Sequence, residues 1–371
     1  MPTTTTLPAP ARPAFPSLRS LWHPRRRAVD RVEDAAYLRV VRWLTAVNFV
    51  AVVAVVVLIC AVSERWWVGA ALSYLPRLPW GIPAAILLLA SARRAPWTAL
   101  VNGAAIILVA GPVMGLSTPL ETPKPAGAHA IRLISSNIQF GSANPKKLVL
   151  EMEQLKPDVV VLQEAHEGTD EFKTLFGAWN TIHVGEFWVS SKFPIRLVDE
   201  FTFAPFGRRT ALLCELETPS GPVLVCNVHL NTPRYALSDL QWHSPLTGAG
   251  VDSVNEFLTL RREEARELRE FVERHAAGRQ FVLAGDFNTP AFSSTLVESW
   301  SGYTNAFEAS GTGYGYTSPC NTRSYWPTNT PWVRIDHILV PAGWTVHSSG
   351  VGRTNGSDHR LIYSELTPDP V

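Results

Sequence analysis

Five clusters of polar residues, each next to a short apolar run, carry the chemical content of this chain. The most informative is Gly285-Asp286-Phe287-Asn288, which follows the run Gln280–Ala284. The others are Ser136-Asn137, Gln163-Glu164, Asn227-Val228-His229-Leu230-Asn231, and Asp336-His337 taken with Ser357-Asp358-His359. Together they supply carboxylates, amides and imidazoles, a set suited to hydrolysing a phosphate ester with a hard divalent metal. A phosphodiester is an anion that repels nucleophiles. Its hydrolysis needs a cation on its oxygens, an activated water and stabilisation of a charged transition state.

Residue types narrow the roles. Hard oxygen ligands suit Mg²⁺ or Mn²⁺. Glu164 ends a run that reads as a buried strand, where an unpaired carboxylate would be costly, and is the leading metal ligand. Asn137 offers a carbonyl to the same ion or a hydrogen bond to its shell. Asp286 and Asn288 flank a Phe, so in extended backbone both point the same way. One can take a proton from water while the other holds the phosphate or that water. His229 and Asn231 follow the same logic. His359 can stabilise charge or handle a proton, with Asp336 as the partner that raises its pKa. Singly, each residue has an ordinary structural reading: a satisfied histidine, a turn, a surface carboxylate. No such reading accounts for all five clusters. Arg208, Arg209 and Arg234 are substrate-facing candidates, because guanidinium groups suit phosphate. The segments Thr232–Asp252 and Thr312–Trp332, with Trp242, Tyr325, Trp326 and Trp332, are expected to rim the cleft.

These clusters need a scaffold that gathers strand ends. Strands are predicted at Ile131–Asn137, Asp158–Leu162, Thr181–Val184, Phe187–Ser190, Thr210–Glu217, Val223–His229, Gln280–Ala284, Arg334–Val340 and Arg360–Leu366. Helical spacing marks Pro145–Leu155, with an apolar stripe of Leu148, Met152 and Leu155. It also marks Val254–His275, with Phe257, Leu260, Leu268, Phe271 and Val272 on its buried side and a charged face expected in solvent. Helices among many strands predict a layered α/β sandwich with the helices outside. The four cysteines show no zinc spacing. Cys214 and Cys226 sit symmetrically about the turn Pro219-Ser220-Gly221. Two buried thiols are expected, with a cross-strand disulfide as the alternative in an oxidising compartment.

The N-terminal third is different. Residues 1–35, rich in Pro, Thr and Arg, read as a disordered basic tail without a cleavable signal. Residues 36–116 read as a membrane module of about three transmembrane helices. Trp43–Val62 and Ala95–Leu116 are uncharged and long enough to cross a bilayer. Trp80–Ala92 is a shorter third crossing or a re-entrant hairpin. Arg25, Arg26, Arg27, Arg31, Arg39, Arg42, Arg93 and Arg94 should stay cytoplasmic. Three crossings then place everything after Leu116 outside the cytoplasm; two would place it inside. Residues 117–130 form a Pro/Gly-rich linker to a domain at 131–371. A net charge of +1 gives no global field for nucleic acid.

From Ile131 to Leu366 the chain resembles the endonuclease/exonuclease/phosphatase superfamily, the DNase I-like fold. The strings Ser136-Asn137-Ile138, Leu162-Gln163-Glu164, Asn227-Val228-His229-Leu230, Gly285-Asp286-Phe287-Asn288, Arg334-Ile335-Asp336-His337-Ile338 and Ser357-Asp358-His359 carry the resemblance. It implies a four-layer α/β sandwich, here preceded by the transmembrane module, with the active site at the strand ends. It also implies Asn137, Glu164 and Asp358 at the metal, His229 on the scissile phosphate, Asp286 and Asn288 at the water, and Asp336 orienting His359. Gln139 departs from the acid that several nucleases of the family carry there. The layout, with Tyr74-Leu75-Pro76-Arg77 and Gly111-Pro112, is similar to membrane-bound bacterial members, the YafD-like and VanJ-type proteins. The expected partners are therefore a lipid bilayer and a phosphorylated, lipid-linked substrate. A surface nuclease and a non-catalytic binding module are the alternatives, and no obligate protein partner is evident.

Overall fold

The computed structural model describes residues 28–119, 125–127, 129–139, 145–166, 170–240, 243–320, 330–353 and 356–369. Four helices open it: α1 (Ala28–Val57), α2 (Trp67–Tyr74), α3 (Ile82–Ser91) and α4 (Pro96–Leu108). Two helical stretches, Asp34–Arg65 and Pro96–Val113, are long and apolar enough to cross a membrane. A third counts if Trp67–Tyr74 and Leu78–Ser91, bent by 92° against each other, form one span. The α3–α4 turn sits beside the start of α1, where the Tyr37 hydroxyl donates to the Ala90 carbonyl at 3.1 Å and Arg94 lies 3.6 Å from Asp34. At the far end Arg77 donates to the Val113 carbonyl at 2.9 Å. The leg from Arg77 to Ala90 thus links the two ends of the bundle. Most of the large apolar side chains that are exposed among the described residues lie between Tyr37 and Leu116. The helices present a belt with no protein cover, as lipid-facing helices do. The helix α2 crosses the end of α1 at Gly69, where a Cβ would stand 2.5 Å from the Ser63 carbonyl oxygen, so only glycine fits.

Downstream come β1 (Ile131–Asn137), α5 (Pro145–Leu155), β2 (Val159–Gln163), α6 (Asp170–Leu175), β3 (Asn180–Val184), β4 (Phe187–Ser191), β5 (Ile195–Phe203), β6 (Arg208–Thr218) and β7 (Gly221–His229). They are followed by α7 (Arg234–Ser238), α8 (Ser244–Thr247), α9 (Val251–Ala276), β8 (Gln280–Asp286), α10 (Ser294–Ser299), β9 (Thr304–Asn305), α11 (Ala306–Ser310), β10 (Asp336–Val340), β11 (Trp344–Val351) and β12 (Ile362–Pro368). The strands form two six-stranded mixed sheets, ordered β11-β12-β1-β2-β4-β3 and β5-β6-β7-β8-β10-β9. Each has a parallel pair near its centre, β1 with β2 and β7 with β8.

Three apolar clusters set the layers. Leu133, Val161, Leu212, Val225 and Val282 pack between the sheets. Leu148, Met152 and Phe172 of α5 and α6 cover the first sheet, and Leu268 and Phe271 of α9 cover the second. The result is the expected four-layer α/β sandwich. With both faces covered, β2 is buried along its whole length, which is why Val159–Leu162 is a continuous apolar run.

Deep between the sheets lies a polar tie. The Gln163 amide donates to Asn227 Oδ1 at 2.7 Å, and Asn227 donates to the carbonyls of Leu162 at 2.9 Å and Trp188 at 3.1 Å. All of these groups are buried, so each hydrogen bond satisfies an atom that water cannot reach.

Cys214 and Cys226 are the two buried, free thiols expected, and the alternative disulfide does not form, because Cys214 pairs with Val225 and Cys226 with Leu213. The one-residue offset sends them to opposite faces of β6–β7, one into the central core and the other under α9. One expectation changes: the charged face of α9 is not wholly in solvent. Arg261 and Glu264 are buried, because α2 and the loop after β7 cover that side.

Candidate active site

Parallel neighbours end on the same edge of a sheet, which is where ligands bind in such folds. Asn137 ends β1, Glu164 follows β2, His229 ends β7 and Asp286 ends β8. β10 runs antiparallel to β8, so it begins at this edge, with Asp336 opposite Asp286. His359 comes in on the turn before β12. There the Ser357 hydroxyl donates to the Asn137 carbonyl at 2.8 Å and accepts from the His359 amide at 3.1 Å. Gly285 precedes Asp286 because a Cβ there would fall 1.9 Å from the Val228 carbonyl oxygen.

Asp286 is the hub. Its Oδ2 accepts from the Asn137 amide at 3.1 Å and lies 3.6 Å from His359 Nε2 and 3.8 Å from His229 Nε2. Its Oδ1 accepts from the Asn288 backbone amide at 2.8 Å. The Asn288 side chain donates to the Leu230 carbonyl at 2.9 Å. Asn137 also donates to Glu164 Oε1 at 3.0 Å, while its side-chain Oδ1 accepts from the Gln139 backbone amide at 3.0 Å. Asn137 therefore holds the two carboxylates as a donor. Glu164 and Asn288 sit at φ of +55° and +47°, in the left-handed region that costs a residue with a side chain about 1–2 kcal/mol.

His359 Nδ1 lies 2.9 and 3.1 Å from the two oxygens of Asp336. Burial alone would lower the pKa of this imidazole. The charges of Asp336 and Asp286 outweigh burial and raise it well above the ordinary value. His359 is therefore a buried imidazolium between two carboxylates. His229 Nδ1 is 3.1 Å from Glu186 Oε2 and 2.6 Å from the Arg208 guanidinium, and its Nε2 faces Glu164 at 3.9 Å. Arg208 also binds Glu186 at 2.7 Å. Burial pushes the Glu186 carboxyl up, but His229 and Arg208 together bring it down to about 2. Glu186 was not singled out in the sequence; its signal was an acid between Gly185 and an apolar strand. The His359–Asp336, His229–Glu186 and Arg208–Glu186 contacts each join one sheet to the other.

Asn231 is anchored, donating to Glu264 at 2.7 Å and accepting from Arg208 at 3.5 Å. Arg209 points away: as the next residue of β6 it faces the opposite side and binds Glu200 of β5. Arg234 is exposed and 3.9 Å from Asp358. His337, beside Asp336, is a core residue, accepting from Asn305 and donating to the Thr289 carbonyl. Trp242, Tyr325 and Trp326 lie outside the described residues.

The donor set fits a hard divalent ion. Glu164, Glu186, Asp286, Asp336 and Asp358 outnumber the cations Arg208, Arg234 and the His359 imidazolium, and a divalent cation would offset the excess negative charge. Asp286, Asp336 and His359 place donor atoms within 4.8 Å of one another. Both ring nitrogens of His359 already face carboxylates, so the carboxylate of Glu164, with Asn137 beside it, is the better seat.

Behind the site lies a network that the sequence did not reveal. Arg261 of α9 donates to the carbonyls of Asn231 at 2.6 Å and Asn288 at 2.8 Å. Its charge is met by Glu64, from the turn between α1 and α2, and both side chains are fully buried. The Tyr74 hydroxyl lies 2.6 Å from Glu64 and 2.7 Å from the Asn288 carbonyl. Arg261 is held firmly protonated: burial opposes its charge, and Glu64 restores it. The N-terminal helices are thus built into the floor of the site.

No curated protein matches the chain. Solved structures are similar to it over about two thirds of its length. They include an endonuclease/exonuclease/phosphatase from Bacteroides vulgatus (17% identity, TM-score 0.49, covering 65% of this chain and 99% of that one). Truncated TDP2 from Caenorhabditis elegans gives 15% identity and a TM-score of 0.48, covering 65% of this chain and 99% of that one. A mannosyl-6-phosphatase from Bacteroides thetaiotaomicron VPI-5482 gives 15% and 0.47, covering 64% and 99%. The Endonuclease/Exonuclease/phosphatase family model matches residues 134–359, which spans every cluster of the site. The chain belongs to that family, and is a hydrolase of phosphoric esters.

Proposed function

We propose that this protein is a membrane-tethered, divalent-metal-dependent phosphohydrolase. Its substrate is a lipid-linked or envelope phosphate ester or pyrophosphate, on the extracytoplasmic face. The layout resembles that of membrane-anchored bacterial members of the family, the YafD-like and VanJ-type proteins. The observation that carries the reading is the buried Glu64–Arg261–Tyr74 network, through which helices with an uncovered apolar belt support the backbone of Asn288. A site built on such helices meets substrates that share their surroundings.

The residues divide the work. Asp286, fixed by Asn137 and Asn288, orients the attacking water and takes its proton. His229, held by Glu186, turns Nε2 toward the scissile phosphate, with Asn288 beside the water. The His359 imidazolium, held by Asp336, neutralises charge that develops on phosphorus oxygens. Arg208 and Asn231 hold the phosphate group, and Arg234 stands at the rim. Mg²⁺ or Mn²⁺ bound at Glu164 and Asn137, with Asp358 nearby, would polarise the phosphoryl oxygens.

The test is a substrate panel for the full chain in detergent: bis-p-nitrophenyl phosphate, plasmid DNA and a polyprenyl pyrophosphate, each with Mg²⁺, Mn²⁺ or EDTA. Metal-dependent turnover of the lipid above DNA supports the reading. DNA cleavage as fast as lipid turnover makes the protein a nuclease. A reporter fused after Val371 should be active only outside the cytoplasm; signal inside would leave two crossings.

A further inference from the structure

A cavity of about 620 Å³ opens beside the site, within the range of small-molecule pockets. Its walls are apolar: Trp67, Ala71 and Leu75 from α2 and the residue after it, Leu237 and Leu240 from α7 and the residues that follow it, and Trp332 opposite. One end is polar and belongs to the site, with Asn288, Asp358 and Arg234 in its lining. Leu75 lines the cavity and is 52% exposed, and Leu78 and Ile82, which follow it toward α3, are exposed by 54% and 51%. The apolar lining therefore runs on into the belt of the helices. A second cavity of the same volume, lined by Lys147, Glu151 and Arg353, touches none of the site residues.

We propose that the first cavity receives the hydrocarbon chain of the substrate, drawn from the bilayer past Leu75, with its phosphate among Asn288, Asp358 and Arg234. Two observations select this occupant. The cavity shares residues with the catalytic edge, so what fills it is joined to the reacting phosphate. One wall belongs to the helical N-terminal module, whose exposed apolar side chains follow on from Leu75, so an alkyl or isoprenoid chain is the matching occupant. The helix α2 is then a wall of the substrate site as well as a connector. The proposal rests on the phosphohydrolase reading and gives it a substrate class.

The experiment uses the full chain in detergent. Ethyl, hexyl and decyl phosphate, each below its micellar concentration, compete with bis-p-nitrophenyl phosphate. In the wild type the inhibition constant should fall by about tenfold or more from hexyl to decyl, since each buried methylene contributes. In Ala71→Trp, where an indole fills the cavity, that dependence should flatten. An unchanged dependence in the variant, or none in the wild type, overturns the proposal. A second measurement needs no turnover: 12-bromododecyl phosphate should quench tryptophan fluorescence, and quench it less in Trp332→Phe. Equal quenching in both proteins overturns the proposal. Failure to hydrolyse bis-p-nitrophenyl phosphate while this quenching difference persists would strike the hydrolase reading and leave the cavity standing.

Discussion

The hydroxyl of Tyr74 and the carbonyl of Asn288 lie 2.7 Å apart, a hydrogen bond between the helical N-terminal module and the catalytic loop. Residues 214 positions apart in the chain thus share one backbone oxygen, which Arg261 also donates to.

Breaking this network should separate a lone charge from a missing pair. Glu64→Gln leaves Arg261 buried without its counter-ion, and should cost about 3–5 kcal/mol in stability. Glu64→Leu with Arg261→Met removes both charges and should cost clearly less than the sum of the single changes. Thermal denaturation of the detergent-solubilised proteins reads both. By the same reasoning, a protein lacking residues 1–116 should be less stable and slower than the full chain.

Asp286→Asn and His359→Ala should keep the fold and lose activity by about 10²–10⁴-fold, the scale of a lost acid–base or electrostatic contribution. Turnover of bis-p-nitrophenyl phosphate, with circular dichroism as the control for folding, measures this. Near-wild-type rates in either variant would remove that residue from the mechanism.

Glu164→Gln keeps the shape of the side chain and the Asn137 contact but removes the charge that holds the ion. The Mg²⁺ concentration for half-maximal activity should rise by about 10–100-fold, with partial recovery at saturating metal. A titration of rate against Mg²⁺, and complete loss with EDTA, tests the metal seat.

His337 gives the fold a pH dependence. Burial, with Arg334 nearby, lowers its pKa to about 3, so it is neutral in the folded protein. Above about pH 6.5 folded and unfolded forms are both neutral and the residue contributes no slope. As pH falls from there toward 3, only the unfolded chain takes up the proton, and stability should drop by roughly 1.4 kcal/mol per pH unit. His337→Gln should flatten this slope, read as melting temperature against pH.

Much of the catalytic edge was legible because its residues are local. Asp286-Phe287-Asn288 and Ser357-Asp358-His359 carry their chemistry within three residues, and the apolar runs of β2 and β8 announce covered strands; the expected extended backbone at Asn288 is instead a left-handed turn that sends its amide to the Leu230 carbonyl. The edge strands β5 and β11 were missed, since they are only partly buried and their apolar pattern is weak. Glu186, Glu64 and Arg261, and the contact made by Tyr74, were missed for another reason. Each matters only through a partner far along the chain, and a charged residue on a helix carries no mark of what will cover it. Arg209 shows the converse: its type suited phosphate, but strand alternation turned it to Glu200.

The amide pair Gln163–Asn227 deserves a mechanical reading. Asn137, Glu164, Glu186 and His359 hang from one sheet; His229, Asp286 and Asp336 hang from the other. Reactive groups on separate plates stay in alignment only while the plates cannot slip, and this dry fastener sets that alignment from inside the sandwich. Exchanging Gln163 for Leu would loosen the jaws of the enzyme without touching a tooth.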